Sequence, residues 1–394
     1  MNVAIFTDND FNKVNGVTAA LRAVLQYAPD GIRPCIYTAS EFGDEGPGYF
    51  APRSFGLAVP FYRDMRMYVP RPKQYLRRMR RDRIDLIHLT TPGPIGLAAV
   101  YIAWRMGLAM VGSFHTDLAA YTTQFSGSRL LGTLMERHLF WTYSQCDRVL
   151  VASESSRELL LNGRTNPRGI DLWWRGVDTD LFSPAKRSPA LRERWRVCER
   201  RPAIVYVGRL SREKGLGILR AVQSALYRRG VEHRLIVVGD GPFRRELQTE
   251  LPDAVFTGML RPADVAIAMA SADLFLLPSD SDTAGDAVLE AQASGLPALV
   301  SSLGGPQEYI RPGETGMVCE AGSGEAFGHA AALVLRDAQQ HRRMSEAARA
   351  HALTLRWETT LAPLYRAYGE VVAFGRSPRR ARSPVAQTPG NAAA

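Results

Sequence analysis

The stretch LFLLPSDSDTAGDAVLEAQASGLPALV, residues 274–300, decides the fold of this chain. It opens with an apolar run, crosses a loop rich in Ser, Asp and Gly, continues with apolar residues at helical spacing and closes with a second apolar run. This order predicts strands at 273–277 and 297–300, joined by a helix at 286–294. Because both strands are apolar on their two faces, we expect parallel strands covered by helices on both sides.

The same alternation of strands and helices extends in both directions from this stretch. It predicts a helix at 132–143 and eight further strands, at 3–7, 34–39, 85–89, 109–114, 148–152, 203–207, 234–238 and 254–257. The pattern restarts near residue 203. The predicted fold class is therefore α/β, with two doubly wound, Rossmann-like domains.

Changes in composition divide the chain into four segments. Ser-Pro pairs and charged residues interrupt the periodicity between residues 177 and 201, which places a domain boundary there. We expect one Rossmann-like domain over 1–185 and a second over 186–358. The helix at 359–376 is expected to pack back on the first domain, and the basic tail at 377–394 to be disordered.

The bulk composition favours a reduced, globular protein without a structural metal. Apolar residues make up 46% of the 394 residues and charged residues 22%, which allows a core in each half. The four cysteines are scattered without a CxxC pair, which argues for the cytoplasm and against zinc. The start of the chain is typical of a first strand, so no signal peptide is expected. The most apolar segment, 95–111, contains Arg105 and Gly107, so we expect a buried helix and a strand instead of a membrane span.

The net positive charge of the chain is compatible with several classes of binding partner. A net charge of +10 suits nucleic acid, an anionic membrane surface or phosphorylated substrates, and charge alone does not choose among them. Residues 71–83 hold seven basic residues in thirteen, with Tyr75, Leu76 and Met79 on one helical face. This helix could rest on anionic lipid or form a solvated basic face. The candidate lipid contacts are Arg77, Arg78, Arg80 and Arg81.

The sequence VYVGRLSREKG, residues 205–215, indicates an anion site. A strand ends here in a turn at Gly208, and Arg209 and Lys214 follow just before a predicted helix. Two cations at a helix N-terminus are unfavourable unless an anion lies beside them. A diphosphate would satisfy both, with Arg209 suited to a bidentate contact. The alternative is an exposed loop with ordinary charges.

Three other strand ends carry candidate binding residues. Gly16 and Gly239 each follow a strand and open a helix, where a glycine lets a ligand approach the backbone; an ordinary turn explains Gly239 equally well. His115 ends a further strand within a polar cluster, and it is either a structural histidine or a residue facing a ligand.

Two carboxylates in the opening stretch suit recognition of hydroxyl groups. Asp282 lies in the loop after a strand, and Glu290 lies eight positions later inside the following helix. A carboxylate in the loop can accept hydrogen bonds from a sugar, and one on the helix can accept them from a ribose. The competing interpretation is a helix-capping residue and a glutamate on the helix surface.

These segments resemble family 4 of the GT-B glycosyltransferases. The resemblance rests on the Gly-Arg-Leu…Glu-Lys-Gly loop at 208–215, a Glu-x7-Glu signature at 282–290 and the following Ala-Ser-Gly-Leu-Pro, and it extends to about Gly375. It implies two domains with a cleft between them and retaining transfer of a hexose from a nucleotide-diphosphate sugar, with no cofactor or catalytic metal. One departure is Asp282 in place of the first glutamate, and Ala284 replaces an aromatic residue that often follows.

The resemblance also implies roles for individual residues. The first domain would bind the acceptor and the second the nucleotide sugar. Arg209 and Lys214 would hold the diphosphate, and Glu290 the ribose. Asp282, with backbone N–H groups around Gly285, would hold the donor sugar, towards which His115 would reach from the opposite domain. The remaining predicted contacts with the nucleotide are Gly16, Gly208 and Gly239.

The substrate prediction is a nucleotide sugar as donor, with GDP-mannose favoured over a UDP-sugar, and a lipid or glycan hydroxyl as acceptor. The expected location is cytoplasmic, resting on the inner face of the plasma membrane. Alternatives are a GT-B-like epimerase or phosphorylase, and a basic nucleic-acid-binding protein, although no nucleic-acid-binding motif is present. Asp280-Ser281-Asp282 also matches the Asp-x-Asp motif of metal-dependent glycosyltransferases, which belongs to a fold with a single sheet domain.

Overall fold

The computed structural model describes residues 1–11, 16–59, 62–163 and 169–374. The tail at 377–394, which we expected to be disordered, lies outside the described residues. Within them, the strands form two large sheets and one separate hairpin. The sheets are built from residues 2–172 and 203–319 respectively.

The first sheet has the strand order β10-β9-β8-β7-β1-β2-β4-β3, and among the described strands β5 pairs only with β6. Its strands are parallel except for the β3–β4 pair. The strands are β1 (Asn2–Phe6), β2 (Arg33–Tyr37), β3 (Asp44–Gly46), β4 (Tyr49–Ala51), β5 (Gly56–Val59), β6 (Tyr62–Tyr68), β7 (Leu86–Leu89), β8 (Ala109–Phe114), β9 (Arg148–Val151) and β10 (Ile170–Leu172).

Helices cover both faces of this sheet. They are α1 (Gly16–Gln26), α2 (Pro72–Arg81), α3 (Pro94–Met106), α4 (Leu118–Ser126), α5 (Arg129–Tyr143) and α6 (Glu154–Asn162). Helices α2, α3, α5 and α6 share one buried apolar cluster and therefore lie on the same face. The predicted buried helix and strand at 95–111 are α3 and β8, separated at Gly107, whose φ of 60° suits glycine.

The second sheet is entirely parallel in its described pairs and has the order β13-β12-β11-β14-β15-β16. Its strands are β11 (Ala203–Val207), β12 (Arg234–Val238), β13 (Val255–Gly258), β14 (Leu274–Leu277), β15 (Ala298–Ser301) and β16 (Gly316–Cys319). The helices of this half are α7 (Pro189–Trp195), α8 (Leu219–Arg228), α9 (Arg244–Glu250), α10 (Pro262–Ala270), α11 (Asp286–Ala293), α12 (Gly324–Arg336) and α13 (Ala338–Thr354).

The chain then returns to the first sheet through α14 (Trp357–Thr360) and α15 (Ala362–Ala373). Leu364 and Tyr368 of α15 are buried in one cluster with Val3 and Ile5 of β1. The C-terminal helix therefore covers the face of the first sheet opposite α3. The domain limits at 185/186 and 358/359 remain predictions.

The strand order places the candidate site. In the second sheet β12 and β13 are added on one side of β11, and β14, β15 and β16 on the other. The order in which successive strands are added therefore changes side between β11 and β14, although these two strands are parallel. Ligands bind parallel sheets at such switch points, beyond the carboxyl ends of the strands. The loops that begin at Gly208 and Pro278 leave these two ends, and they carry most of the predicted site residues. No described helix is long and apolar enough to cross a membrane.

Candidate functional site

The two domains meet at the loops that follow β8 and β14. The Thr283 hydroxyl donates a 2.5 Å hydrogen bond to the His115 carbonyl, which joins the second domain to the first. Gly16 at the start of α1 also reaches the second domain, because a Cβ placed on it would lie 2.1 Å from an oxygen of Asp286. The structure therefore brings predicted residues of both halves to one cleft.

Lys214 and Asp282 form an ion pair in this cleft. The ammonium donates to the Asp282 carboxylate, and the two side chains are only 20% and 19% exposed. Burial disfavours the charged amine, yet the adjacent Asp282 carboxylate more than offsets burial and holds the pKa of Lys214 above its ordinary value. Lys214 is thus a cation at neutral pH, held beside the residue expected to bind the donor sugar.

Helix α8 does not begin where the anion argument placed it. Two short 3-10 turns, Arg212–Lys214 and Leu216–Ile218, separate Arg209 from α8. The prediction of two cations directly before a helix N-terminus is therefore wrong in its geometry. The turn itself is well defined, since the Tyr206 hydroxyl donates to the Arg209 carbonyl at 2.8 Å.

Gly239 and Gly285 allow other parts of the chain to pack closely against the backbone. A Cβ on Gly239, whose φ is +130°, would lie 1.9 Å from the Gly208 carbonyl oxygen. The expected close approach at Gly239 is therefore made by the neighbouring loop of the chain. A Cβ on Gly285 would lie 2.7 Å from the Tyr309 ring, so this glycine lets the ring pack against the start of α11.

Three carboxylates line up at intervals of four residues, at 282, 286 and 290. Glu290 lies within α11, where burial and then the charge of Asp286 raise its pKa to about 8. Burial also raises the pKa of Asp286, although Arg175 opposes the shift. The sequence analysis missed Asp286, and the spacing of four residues from both predicted carboxylates was the signal that could have identified it.

Arg175 is a second residue that the sequence analysis missed. Its side chain is only 2% exposed, and it lies just after β10. One guanidinium nitrogen donates to His115 Nδ1 at 2.9 Å, and Nε lies 3.4 Å from Asp286 Oδ1. Its backbone N–H donates to the Tyr309 hydroxyl at 3.0 Å. No local pattern around residue 175 indicates these contacts.

The His115 side chain lies differently from the expectation. Besides Arg175 on Nδ1, its Nε2 contacts the Ser113 hydroxyl at 2.7 Å, so both ring nitrogens have partners inside the protein. Burial, together with Arg175, holds the pKa of His115 well below its ordinary value. A role of the imidazole towards the donor therefore stays a prediction, and in this arrangement the His115 group that contacts the opposing loop is its carbonyl oxygen.

The two aspartates of the Asp-x-Asp motif bind separate partners. Asp280 accepts a hydrogen bond from the Ser301 hydroxyl, whereas Asp282 pairs with Lys214. Among the described residues, no group of three or more His, Cys, Asp or Glu side chains is arranged to hold a metal ion.

The basic helix α2 differs in part from its prediction. Arg78 is drawn into ion pairs with Glu45 and Asp82 and is only 14% exposed, so it is not a candidate lipid contact. The other predicted contacts of this helix, Arg77, Arg80 and Arg81, are exposed. Tyr75 and Met79 are fully buried against the sheet.

Comparisons with known proteins cover nearly the whole chain. A family described as "Glycosyltransferase Family 4" matches residues 14–181, and one described as "Glycosyl transferases group 1" matches residues 188–351. A GDP-mannose-dependent alpha-mannosyltransferase of Mycolicibacterium smegmatis is 33% identical over 97% of this chain and 100% of the relative. A protein of the same description from Corynebacterium glutamicum is 31% identical over 95% and 90% of the two chains.

Solved structures confirm the fold. Sucrose-phosphate synthase from Thermosynechococcus elongatus superposes with a TM-score of 0.75 at 19% identity, over 95% of this chain and 99% of the other. Anabaena HepE in complex with UDP-glucose superposes with a TM-score of 0.74 at 17% identity, over 94% and 100%. The predicted GT-B fold is confirmed, and these matches do not favour an epimerase, a phosphorylase or a nucleic-acid-binding protein.

Proposed function

Because this chain belongs to glycosyltransferase family 4, we propose that it transfers mannose from GDP-mannose to a lipid-linked or glycan hydroxyl, with retention at the anomeric carbon and without a metal ion. The observation that carries the proposal is the Lys214–Asp282 ion pair beyond the carboxyl ends of β11 and β14, with Glu290 two helical turns further along the chain in α11. The choice of donor rests on the mannosyltransferases to which the chain is similar over nearly its full length.

The donor would extend along α11. Glu290 would accept the ribose hydroxyls, while Arg209 and Lys214 would neutralise the diphosphate. Asp282 and the backbone at Gly285 would hold the mannose. Since Lys214 and Asp282 already contact each other, the phosphate and the sugar would meet at one ion pair, and its cation supplies the positive charge that a metal ion supplies in other enzymes.

The chemical step is loss of the nucleoside diphosphate. Negative charge builds on the departing phosphate, and a preorganised cation in a partly buried site stabilises it more than water does. Both ring nitrogens of His115 are occupied by Arg175 and Ser113, and its pKa is held well below the ordinary value, so it does not serve as the base in our proposal. The departing phosphate would instead take the proton of the acceptor hydroxyl on the same face, which gives retention.

The acceptor would arrive at an anionic membrane surface on the cytoplasmic side. Helix α3 exposes Leu97, Tyr101 and Trp104 to 38%, 47% and 64%, at the spacing of one helical face. Helix α5 exposes four more apolar side chains, Leu130, Leu131, Leu134 and Trp141, to 70%, 42%, 52% and 44%. Both helices lie on the same face of the sheet as the basic helix α2. Aromatic and basic side chains on one face suit the boundary of an anionic bilayer.

Thermal unfolding with GDP, UDP and their common sugar conjugates, with and without EDTA, tests the donor assignment. A ligand at one hundred times its dissociation constant stabilises by about 2.7 kcal/mol, which raises the melting temperature by a few degrees. We expect the shift with GDP and GDP-mannose, unchanged by EDTA. A shift with UDP-sugars alone would overturn the GDP-mannose proposal, and a shift abolished by EDTA would overturn the metal-free site.

A further inference from the structure

Arg175 contacts both domains from a buried position. It follows β10 of the first sheet, and its guanidinium lies between His115 at the end of β8 and Asp286 at the start of α11. Its backbone N–H donates to the Tyr309 hydroxyl, which in turn donates to the Ala152 carbonyl at 3.1 Å. A guanidinium that is only 2% exposed needs partners of this kind, because an isolated buried charge is strongly destabilising.

The contact with His115 fixes the tautomer of that ring. A guanidinium only donates hydrogen bonds, so His115 Nδ1 accepts and the ring proton lies on Nε2. Nε2–H then donates to the Ser113 hydroxyl at 2.7 Å, and this hydroxyl can donate to His88 Nε2 at 2.8 Å. The chain of hydrogen bonds ends at the Tyr368 hydroxyl of α15, 2.7 Å from His88 Nδ1. Arg175 thus orients a polar chain that runs through the first domain.

Arg175 also contacts the second domain, through Asp286 at the start of α11. Within the described part of the chain, neither Arg175 Nε nor Asp286 Oδ1 makes a hydrogen bond, although the two atoms are 3.4 Å apart. The other carboxylate oxygen of Asp286 is held close to the backbone of Gly16. Burial raises the pKa of Asp286, and the positive charges of Arg175 and, to a smaller extent, Lys214 oppose this shift at the point where α1 and α11 meet.

We propose that Arg175 is a positioning residue for glycosyl transfer, which holds the ends of β8, α1 and α11 in the register where donor and acceptor meet. His115 presents its carbonyl to Thr283 while Arg175 holds its ring, and Asp286 contacts Gly16 while Arg175 balances its charge. One side chain thereby sets both contacts across the cleft. This inference rests on the proposed function, because it concerns the alignment of the same two substrates.

The kinetic prediction separates alignment from binding. The proposed nucleotide contacts, Arg209, Lys214 and Glu290, all lie in the second domain, whereas Arg175 follows β10 of the first sheet. We expect Arg175→Met to lower kcat about 100-fold, the size of effect that follows a misplacement of reacting groups by about 1 Å. The dissociation constant for GDP, measured by calorimetry, should stay near the wild-type value.

Two further variants separate positioning from general stability. Arg175→Lys keeps a positive charge near Asp286 but cannot reach both partners with a planar fork, so it should recover part of the lost kcat. Asp286→Asn should lower kcat less than Arg175→Met does. Combined with Arg175→Met, it should add little, because both changes act on one contact. Parallel loss of kcat, GDP binding and melting temperature in Arg175→Met, without recovery in Arg175→Lys, would overturn the proposal.

Small-angle X-ray scattering with saturating GDP keeps this test independent of the activity. If Arg175 holds the domains in register, Arg175→Met should have a larger radius of gyration than the wild type. An unchanged radius together with an unchanged kcat would overturn the positioning role. If the wild-type protein itself transfers no mannose, the proposed function fails, and the scattering comparison alone decides the role of Arg175.

Discussion

The ammonium of Lys214 binds the carboxylate of Asp282 across the switch point of the second sheet, although the two residues lie 68 positions apart in the chain. The proposed phosphate contact and the proposed sugar contact are therefore one unit. A change in either residue alters the charge that the other experiences. Asp282, which is one methylene shorter than the glutamate of the family signature, is long enough to make this pair.

Lys214→Ala should remove a cation that stabilises the departing diphosphate. We expect kcat/KM to fall by a factor that corresponds to roughly 2–4 kcal/mol of transition-state stabilisation, as for other preorganised charge contacts. Arg212→Ala is the matched control, because Arg212 lies two positions away, is 76% exposed and pairs with Glu246 at the surface. Similar losses in both variants would contradict a specific role for Lys214.

Asp282→Asn should be more harmful than Asp282→Glu. Asparagine removes the negative charge beside the half-buried Lys214, whereas glutamate keeps it with one more methylene. We expect the asparagine variant to lose stability and transfer activity, and the glutamate variant to retain both to a large extent. Steady-state rates and melting temperatures measured on the same preparations check this order. The reverse order would show that length, and not charge, is what matters at position 282.

GDP binding should strengthen as the pH rises towards about 8, the pKa to which burial and Asp286 raise Glu290. The group is protonated below that pH, and ribose hydroxyls favour the ionised form, so binding must release the proton. Calorimetry should show an increase in affinity of up to roughly tenfold per pH unit below the pKa. Glu290→Gln should bind more weakly and without this pH dependence. A wild-type affinity that does not change between pH 6 and about 8 would contradict the ribose contact.

Vesicle binding should depend on the apolar face of α3 and α5. We propose sedimentation with vesicles of phosphatidylcholine containing about a third phosphatidylglycerol, an anionic lipid that attracts basic residues. Trp104→Glu and Leu134→Glu should each weaken binding, since burial of such a side chain contributes roughly 1.5–3 kcal/mol. Met259→Glu is the control, because Met259 is 82% exposed and lies in the second domain. Equal binding by all three variants and the wild type would contradict a membrane contact through this face.

The sequence predicted the central strands because each is buried on both faces and therefore reads as a continuous apolar run. All ten predicted strands are present, displaced by at most two residues at either end. Short peripheral strands were missed for the converse reason. The strand Asp44–Gly46 has no apolar side chain, and Ile170–Leu172 is only three residues long, so neither has a recognisable period.

The residues of the candidate site likewise fall into those that a local sequence motif predicts and those that it does not. Lys214, Asp282 and Glu290 were predicted because each lies in a local motif next to a strand end. Arg175 and the partners of His115 were not predicted, because their contacts join residues that are distant in sequence. The Arg175–His115 hydrogen bond spans 60 positions, and the His88–Tyr368 hydrogen bond spans 280. Contacts of this kind follow from the packing of two sheets and a returning C-terminal helix, which no short stretch of sequence encodes.

The transfer reaction itself tests the central claim most directly. The protein is incubated with GDP-mannose labelled with ¹³C at the anomeric carbon, in the presence of vesicles made from a bacterial lipid extract, and the lipid-extracted product is examined by NMR. We predict a labelled mannoside with the α configuration of the donor, formed equally well in EDTA. Label that stays in GDP-mannose, while the same incubation with a labelled UDP-sugar gives a product, or a mannoside of β configuration, would contradict the account.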